Sequence, residues 1–304
     1  MGRRALPLRW RLGLLVGCLV VAAGIWLPNV HRLFLPRPQE VTAGDGIAPM
    51  AAKLAEYHLH TWSQPQLLQQ NMESMRRANA EWDFMGRSFL SWSLANMAMR
   101  EPGVREPALR AIDRIIDNTL ELEREEGFRF FLLPYANSRQ FVQQPARSQF
   151  TDGEIALMLG LRCMVADRDD YRRELARRVG IMVRRMEASP TLSAESYPNE
   201  CWTFCNTIAL AAIRVHDLLS GEDHTSLLRR WVAMAKRKLV DSRTGLLVAA
   251  YRLDGARIYG PEGSTAWVAS HCLMLVDQAF AREQYDRARQ HLSERCLGFA
   301  YARE

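Results

Sequence analysis

The sequence predicts an all-α protein, an (α/α)5–6 barrel or toroid carried on one N-terminal transmembrane anchor helix. Three observations predict it. From residue 48 onward, apolar residues recur at intervals of three and four, with sparse Gly, Pro and Asp punctuation. Apolar helices alternate with charged amphipathic ones, as a two-layer helical ring requires; the apolar set forms the inner layer, buried on both sides. Four helix starts repeat a small or polar cluster running into apolar sequence: Asp83-Phe-Met-Gly-Arg-Ser-Phe-Leu, Thr151-Asp-Gly-Glu-Ile-Ala-Leu-Met, Cys205-Asn-Thr-Ile-Ala-Leu and Ser264-Thr-Ala-Trp-Val-Ala-Ser. In a ring, those starts converge at one end and line a common pocket.

The first element is the anchor. A basic segment, 1–11, holds Arg3, Arg4, Arg9 and Arg11 and precedes an apolar run, 12–28, that ends at Pro28. Trp10 and Trp26 flank the run, as suits membrane interfaces, and no clean A-x-A cleavage site follows it. The arginines stay in the cytoplasm by the positive-inside rule, which places the remaining chain on the extracytoplasmic side of a bacterial inner membrane. A Pro-containing linker, 29–47, leads to the barrel domain, 48–304. Its helices are expected at 48–60, 65–78, 83–100, 105–125, 152–167, 169–188, 203–219, 224–239, 264–280 and 282–297. The stretch Phe128 to Gln149, rich in aromatic, Pro and amide residues, reads as a long functional loop. Gly245 to Arg252 followed by Asp254-Gly255 reads as a β-hairpin.

Composition narrows the function. The 304 residues are 48% apolar and 24% charged, an ordinary globular balance, and the net charge is +6. Arg alternates with acids, as in Arg172-Arg-Glu-Leu-Ala-Arg-Arg178, which describes a solvated helix face and argues against nucleic acid as a partner. No phosphate-binding Gly-rich loop and no Gly-x-Ser-x-Gly elbow occur. Of six cysteines, Cys163, Cys272 and Cys296 fall in apolar helical runs and read as small buried residues. Cys201 and Cys205, spaced C-x3-C, match no zinc knuckle and make an awkward disulfide. No metal and no cofactor is expected. His58 and His60 lack a zinc pattern, and His216 and His271 read as core histidines, His271 also as a base for a Cys205 nucleophile.

The densest chemistry lies in Tyr197-Pro-Asn-Glu-Cys-Trp-Thr-Phe-Cys-Asn206, just before an apolar helix. A thiol at a helix N-terminus is expected to have a lowered pKa. The converging helix starts bring Asp83, Asp152, Glu154, Cys201 and Cys205 toward one pocket, with Tyr197, Tyr135, Tyr259 and Glu262 from adjoining loops. A carboxylate and a thiol in an apolar pocket can supply the two proton-transfer groups that acid–base catalysis needs. Each acid also has a plain role available, as helix cap or dipole partner. Trp82, Trp202, Trp267 and Phe204 read as pocket wall or core.

The segments Trp82-Asp-Phe-Met-Gly-Arg-Ser-Phe89 and Tyr197 to Asn206, with Asp241-Ser-Arg-Thr-Gly-Leu-Leu247, resemble the linalool dehydratase/isomerase family. The resemblance implies an (α/α)-barrel with an apolar pocket for an isoprenoid alcohol, and cofactor-free loss and addition of water with double-bond migration. By position it implies that Asp83 holds or protonates the substrate hydroxyl. Cys205, with Cys201 beside it, would exchange a carbon-bound proton, with Glu154 as a further acid–base group. Tyr197, Asn206, Phe89, Tyr135, Trp202, Tyr259 and Glu262 would contact the substrate. The sequence departs from the family pattern at Phe89, in place of a tyrosine, and at Glu154, in place of an imidazole. The readings weighed against this one are a carbohydrate-acting α/α-toroid using Asp83, Asp152, Glu154 and Glu262, and a non-catalytic binding scaffold. The expected partners are a small-molecule substrate, the membrane and, in one reading, further copies of the chain.

Overall fold

The computed structural model describes residues 7–35, 37–296 and 299–304. Arg3 and Arg4 of the basic segment lie outside the described residues, as does Leu297. Helix α1 (Leu8–Phe34) buries no residue and is long and apolar enough to cross a membrane, by length and composition. A short helix α2 (Pro38–Val41) precedes α3 (Pro49–Ser63) and α4 (Pro65–Ala78), each of which begins on a proline at the first helical position.

The predicted alternation is present. The inner row is α5 (Ala80–Arg100), α7 (Gln149–Val165), α9 (Thr203–Ser220) and α11 (Gly263–Leu273), each packed on the next. Outside it, α6 (Pro102–Glu126) packs on α5 and α7, α8 (Asp169–Glu187) on α7 and α9, and α12 (Gln278–Leu292) on α11. Helix α10 (Thr225–Lys238) follows α9 and buries Leu227, Leu228, Trp231 and Val232. Nearly every side chain of α7 and of the first three turns of α9 is buried, whereas α8 buries one stripe, Tyr171, Leu175, Arg178, Val179, Met182 and Met186.

Helix boundaries depart from expectation in ways that matter later. Helix α5 starts at Ala80 because the side chain of Asn79 caps it, accepting from Glu81 N at 2.8 Å. Helix α7 starts at Gln149, capped by Ser148. The last helix stops at Leu292, and the chain turns into a hairpin of β4 (Ser293–Cys296) and β5 (Phe299–Ala302). Cys296 is therefore exposed rather than a core thiol, while Cys163 and Cys272 are buried as expected. The loop after α6 holds two 3-10 turns, Phe128–Phe131 and Pro134–Asn137. The predicted hairpin forms β2 (Ala250–Tyr251) and β3 (Arg257–Tyr259), with Gly255 at φ +92° in its turn. A strand missed by the periodicity, β1 (Cys201–Trp202), adds to its other side: order β1-β2-β3, all antiparallel, with Cys201 opposite Tyr251.

The tightest packing in the core joins α7 to α9. A Cβ on Gly153 would sit 3.4 Å from the backbone nitrogen of Ala209, and a Cβ on Gly160 would sit 2.7 Å from Val215 Cγ1. Two glycines on one face, two turns apart, let the helices approach this closely. Gly160→Ala gains helix propensity but drives a methyl into a β-branched side chain with little rotamer freedom. We expect it to lower unfolding stability by about 1–3 kcal/mol in urea titrations, and the double variant with Val215→Ala to recover most of the overpacking term. An unchanged midpoint for the single variant would show that the crossing is looser than described.

Candidate active site

The starts of α5, α9 and α11 line one cavity of about 470 Å3, with Met85, Leu133, Phe150 and Phe204 among its walls. The sequence-predicted residues on it are Tyr197, Cys205, Tyr135 and Trp202. Tyr197 arrives there by a tight turn. Asn199 adopts φ +63°, a conformation that Asn tolerates, and Glu200 N donates back to the Tyr197 carbonyl at 2.9 Å. The turn is held from behind by Glu195, fully buried, whose carboxylate accepts from the backbone N–H groups of Val142, Gln143 and Asn199.

The Tyr197 hydroxyl donates to Glu81 Oε1 at 2.5 Å and accepts from Leu133 N at 2.9 Å. The Tyr135 ring stacks on Tyr197, with centroids 4.7 Å apart and planes at 14°. The Tyr135 hydroxyl and Trp202 Nε1 both donate to Glu200 Oε2 at 3.0 Å. Burial raises the Glu81 carboxyl, the Tyr197 hydrogen bond opposing it, and burial also raises both phenols. Glu81 is the residue the sequence reading missed. Its signal was the cap: once Asn79 closes the helix, Glu81 stands in the first turn beside Trp82 and one turn ahead of Met85, the face that the cavity uses.

Asp83 is placed elsewhere. Two residues past Glu81 it is rotated by about 200°, fully buried under an ion pair with Arg87 Nε at 3.0 Å, and it faces a separate groove between α4, α5 and α6. Asp152 is likewise structural: it pairs with Arg147 and with Arg178 Nη1 at 2.9 Å, and both arginines also reach Glu123, so the network ties α7 to α6 and α8. Cys201 lies buried in β1, away from the cavity wall. Asn206 spends its amide on the loop, accepting from Ala194 N at 2.9 Å and donating to the Ala194 and Trp202 carbonyls. Phe89 packs against Trp92 and Phe204 rather than lining the cavity. Tyr259 and Glu262 line an adjoining vestibule of about 600 Å3 that shares Tyr135 and Trp202 with the cavity. Burial and the nearby Glu304 raise the Glu262 carboxyl. His271 is exposed on the last turn of α11, so it is no base for Cys205.

Two groups have electrostatics opposite to those of solvated side chains. Cys205 sits in the first turn of α9, yet its pKa is raised well above the usual thiol value, first by burial and then by Glu154 and Glu81; a hydrogen bond to Ser196 opposes the shift. The expected lowering by the helix dipole does not occur. Glu154 is fully buried and neither carboxylate oxygen has a hydrogen-bond partner; Ser88, the hydroxyl nearest in effect, donates to the Phe84 and Met85 carbonyls. Desolvation pushes Glu154 up to about 8, so it is a neutral acid at pH 7. Its charge, when formed, raises the thiols of Cys205 and Cys272 further.

The Glu154 shift has a sign that can be measured. Below its ordinary value of 4.5 both folded and unfolded chains hold the proton, and nothing is lost. Between 4.5 and about 8 the unfolded chain ionises first, so stability falls as pH rises, by up to about 1.4 kcal/mol per pH unit. Glu154→Gln removes this term. Its thermal midpoint should exceed the parent's by a margin that grows from about pH 5 to pH 8; a margin independent of pH would mean that the folded carboxyl is not raised.

The chain matches known proteins in part. Residues 150–297 match the model of the linalool dehydratase/isomerase family, a segment that includes the Tyr197–Asn206 motif, Glu154 and α11. A solved structure of a D-mannose isomerase is similar with a TM-score of 0.43 and 11% identity, over 70% of this chain and 62% of that one, so the chain spans less than two thirds of that protein's length. The family match supports an enzyme of the lyase or isomerase type, and over residues 150–297 it supports the linalool dehydratase/isomerase family as the one this chain resembles.

Proposed function

We propose that the chain is a cofactor-free lyase or isomerase that adds or removes water, or moves a double bond, on a small apolar or isoprenoid-like alcohol. One observation carries the reading: an oxygen acid–base pair, Glu81 with Tyr197, and a neutral thiol, Cys205, face a single cavity whose other walls are mostly aromatic and aliphatic. A carbohydrate enzyme would use an open groove of carboxylates; the aromatic and aliphatic walls of this cavity support the lyase or isomerase reading. Helix α1 would hold the domain at the membrane, where apolar alcohols partition.

The protonation states fit hydration. The Cys205 S–H bond breaks and its proton adds to one alkene carbon, the π pair forming the new C–H bond. The buried acid Glu154 returns a proton to the sulfur, so no thiolate persists in an apolar site. Water attacks the cationic carbon and passes its proton to the Glu81 carboxylate, which the Tyr197 hydroxyl holds in place. Net, alkene and water become alcohol and one proton moves from Glu154 to Glu81; dehydration is the reverse, and both in succession shift a double bond. Tyr135, Trp202 and Phe204 would confine the apolar body, and the aromatic faces would stabilise developing positive charge.

The test is turnover of a panel of short allylic alcohols and dienes in deuterated water, read by mass spectrometry. Cys205→Ala should abolish deuterium incorporation at carbon, and Glu81→Gln should lower alcohol formation by about 10²–10⁴-fold. Hydration should decline as pH rises through about 8, where Glu154 loses its proton. Full deuterium exchange by Cys205→Ala, with the variant folded, would sink the proposal. Glu154→Gln should remove the alkaline limb along with most of the rate.

A further inference from the structure

The far end of α9 carries a second cluster that the cavity chemistry does not use. His216 and Asp217 occupy its last turns, and the chain reverses at Gly221 and returns His224 to the same spot. His216, Asp217 and His224 each offer a ligand atom, and these atoms lie within 4.8 Å of one another. Asp217 Oδ1 is 2.6 Å from His224 Nδ1 and 3.9 Å from His216 Nδ1. His216 and Asp217 are nearly fully buried, and His224 is half-buried at the surface, which gives an ion a way in.

The Asp217–His224 contact alone describes an ordinary loop closure, since Asp217 Oδ2 also accepts from His224 N at 3.0 Å. His216 does not belong to that closure. Its Nδ1 is buried, has no hydrogen-bond partner and faces Asp217 Oδ1. A buried imidazole nitrogen with no partner forgoes a hydrogen bond that folding otherwise supplies.

We infer that His216, Asp217 and His224 form a binding site for a divalent transition ion, zinc by preference, that staples the α9–α10 connection. Two imidazoles and one carboxylate are a donor set of the borderline kind that zinc takes, with a fourth position left to water. Tetrahedral coordination at about 2.0–2.2 Å needs ligand atoms about 3.3 Å apart. The 2.6 Å pair must open and the 3.9 Å pair must close, and a turn of the half-exposed His224 ring does the first. Cys205 and His216 are eleven residues apart on one helix, about 16 Å, so the ion holds the fold and does not touch the substrate cavity.

The experiment uses the full chain in detergent, with any affinity tag removed, stripped by a chelator. Zn2+ is titrated calorimetrically and Co2+ by visible absorption. One ion per chain should bind, with the ligand-field bands of a nitrogen–oxygen site, and Zn2+ should raise the thermal midpoint. His224→Gln, at a half-exposed position that tolerates change, and His216→Gln should each weaken binding by about 100-fold or more and erase the zinc-dependent rise in midpoint. Absence of saturable binding overturns the inference. So does binding of unchanged affinity in both variants, which would assign it to another group such as the exposed Cys18 or Cys296. A loss of stability in the variants that is the same with and without Zn2+, beside a parent that zinc does not stabilise, leaves Asp217–His224 as a plain loop closure and also overturns it.

Discussion

The close approach of α7 to α9 is the constraint on which the rest depends. Gly153 against Ala209 and Gly160 against Val215 bring the two helices together along most of their length. That contact buries nearly all of α7 and seals Glu154 away from water, with neither carboxylate oxygen in a hydrogen bond. A carboxyl so placed stays protonated, because an isolated buried charge is among the most expensive states a protein can hold. The same contact fixes where α9 begins, and so where Cys205 meets the cavity. Packing geometry, rather than any charged partner, sets the proton inventory of the site.

Two fields compete at Cys205, and their magnitudes decide the outcome. The helix N-terminus favours a thiolate by about 0.3–1 kcal/mol, up to about 2 in partly buried sites. Full burial shifts a titrating group by up to 3–5 pH units against its charged form, or roughly 4–7 kcal/mol. Burial wins, and Glu154 and Glu81 add to it. The thiol is therefore held in its neutral form rather than as a thiolate.

The layered helical frame was legible because burial on one face or on two writes itself into the period of the sequence. The alternation of α6, α8 and α12 with the apolar α5, α7 and α9 needed nothing more. The site was legible only to the resolution of a helix turn. Asn79 is an ordinary polar residue until its side chain is seen to accept from Glu81 N, and the three-residue slip in the start of α5 exchanged Glu81 for Asp83. Arg87, four residues after Asp83, was the available warning, since that spacing on a helix makes an ion pair. Asp152 had no such helix-spaced signal: its partners are Arg147, in the loop five residues before it, and Arg178 of α8, twenty-six residues on. The strand at Cys201 was hidden because two residues carry no period.

The acids of this chain divide by the partner that the fold gives them. Asp83 and Asp152 are buried with arginines, and removing either partner would leave a lone buried charge. Glu81 is held by a phenol and half-open to the cavity, and Glu154 has no partner at all. Only groups whose charge the fold does not fix can change it during a reaction. Of Glu81, Asp83, Asp152 and Glu154 at the starts of α5 and α7, the structure leaves two, Glu81 and Glu154, unpaired with any arginine. Around them, Tyr135, Tyr197, Trp202 and Phe204 give the cavity an aromatic lining.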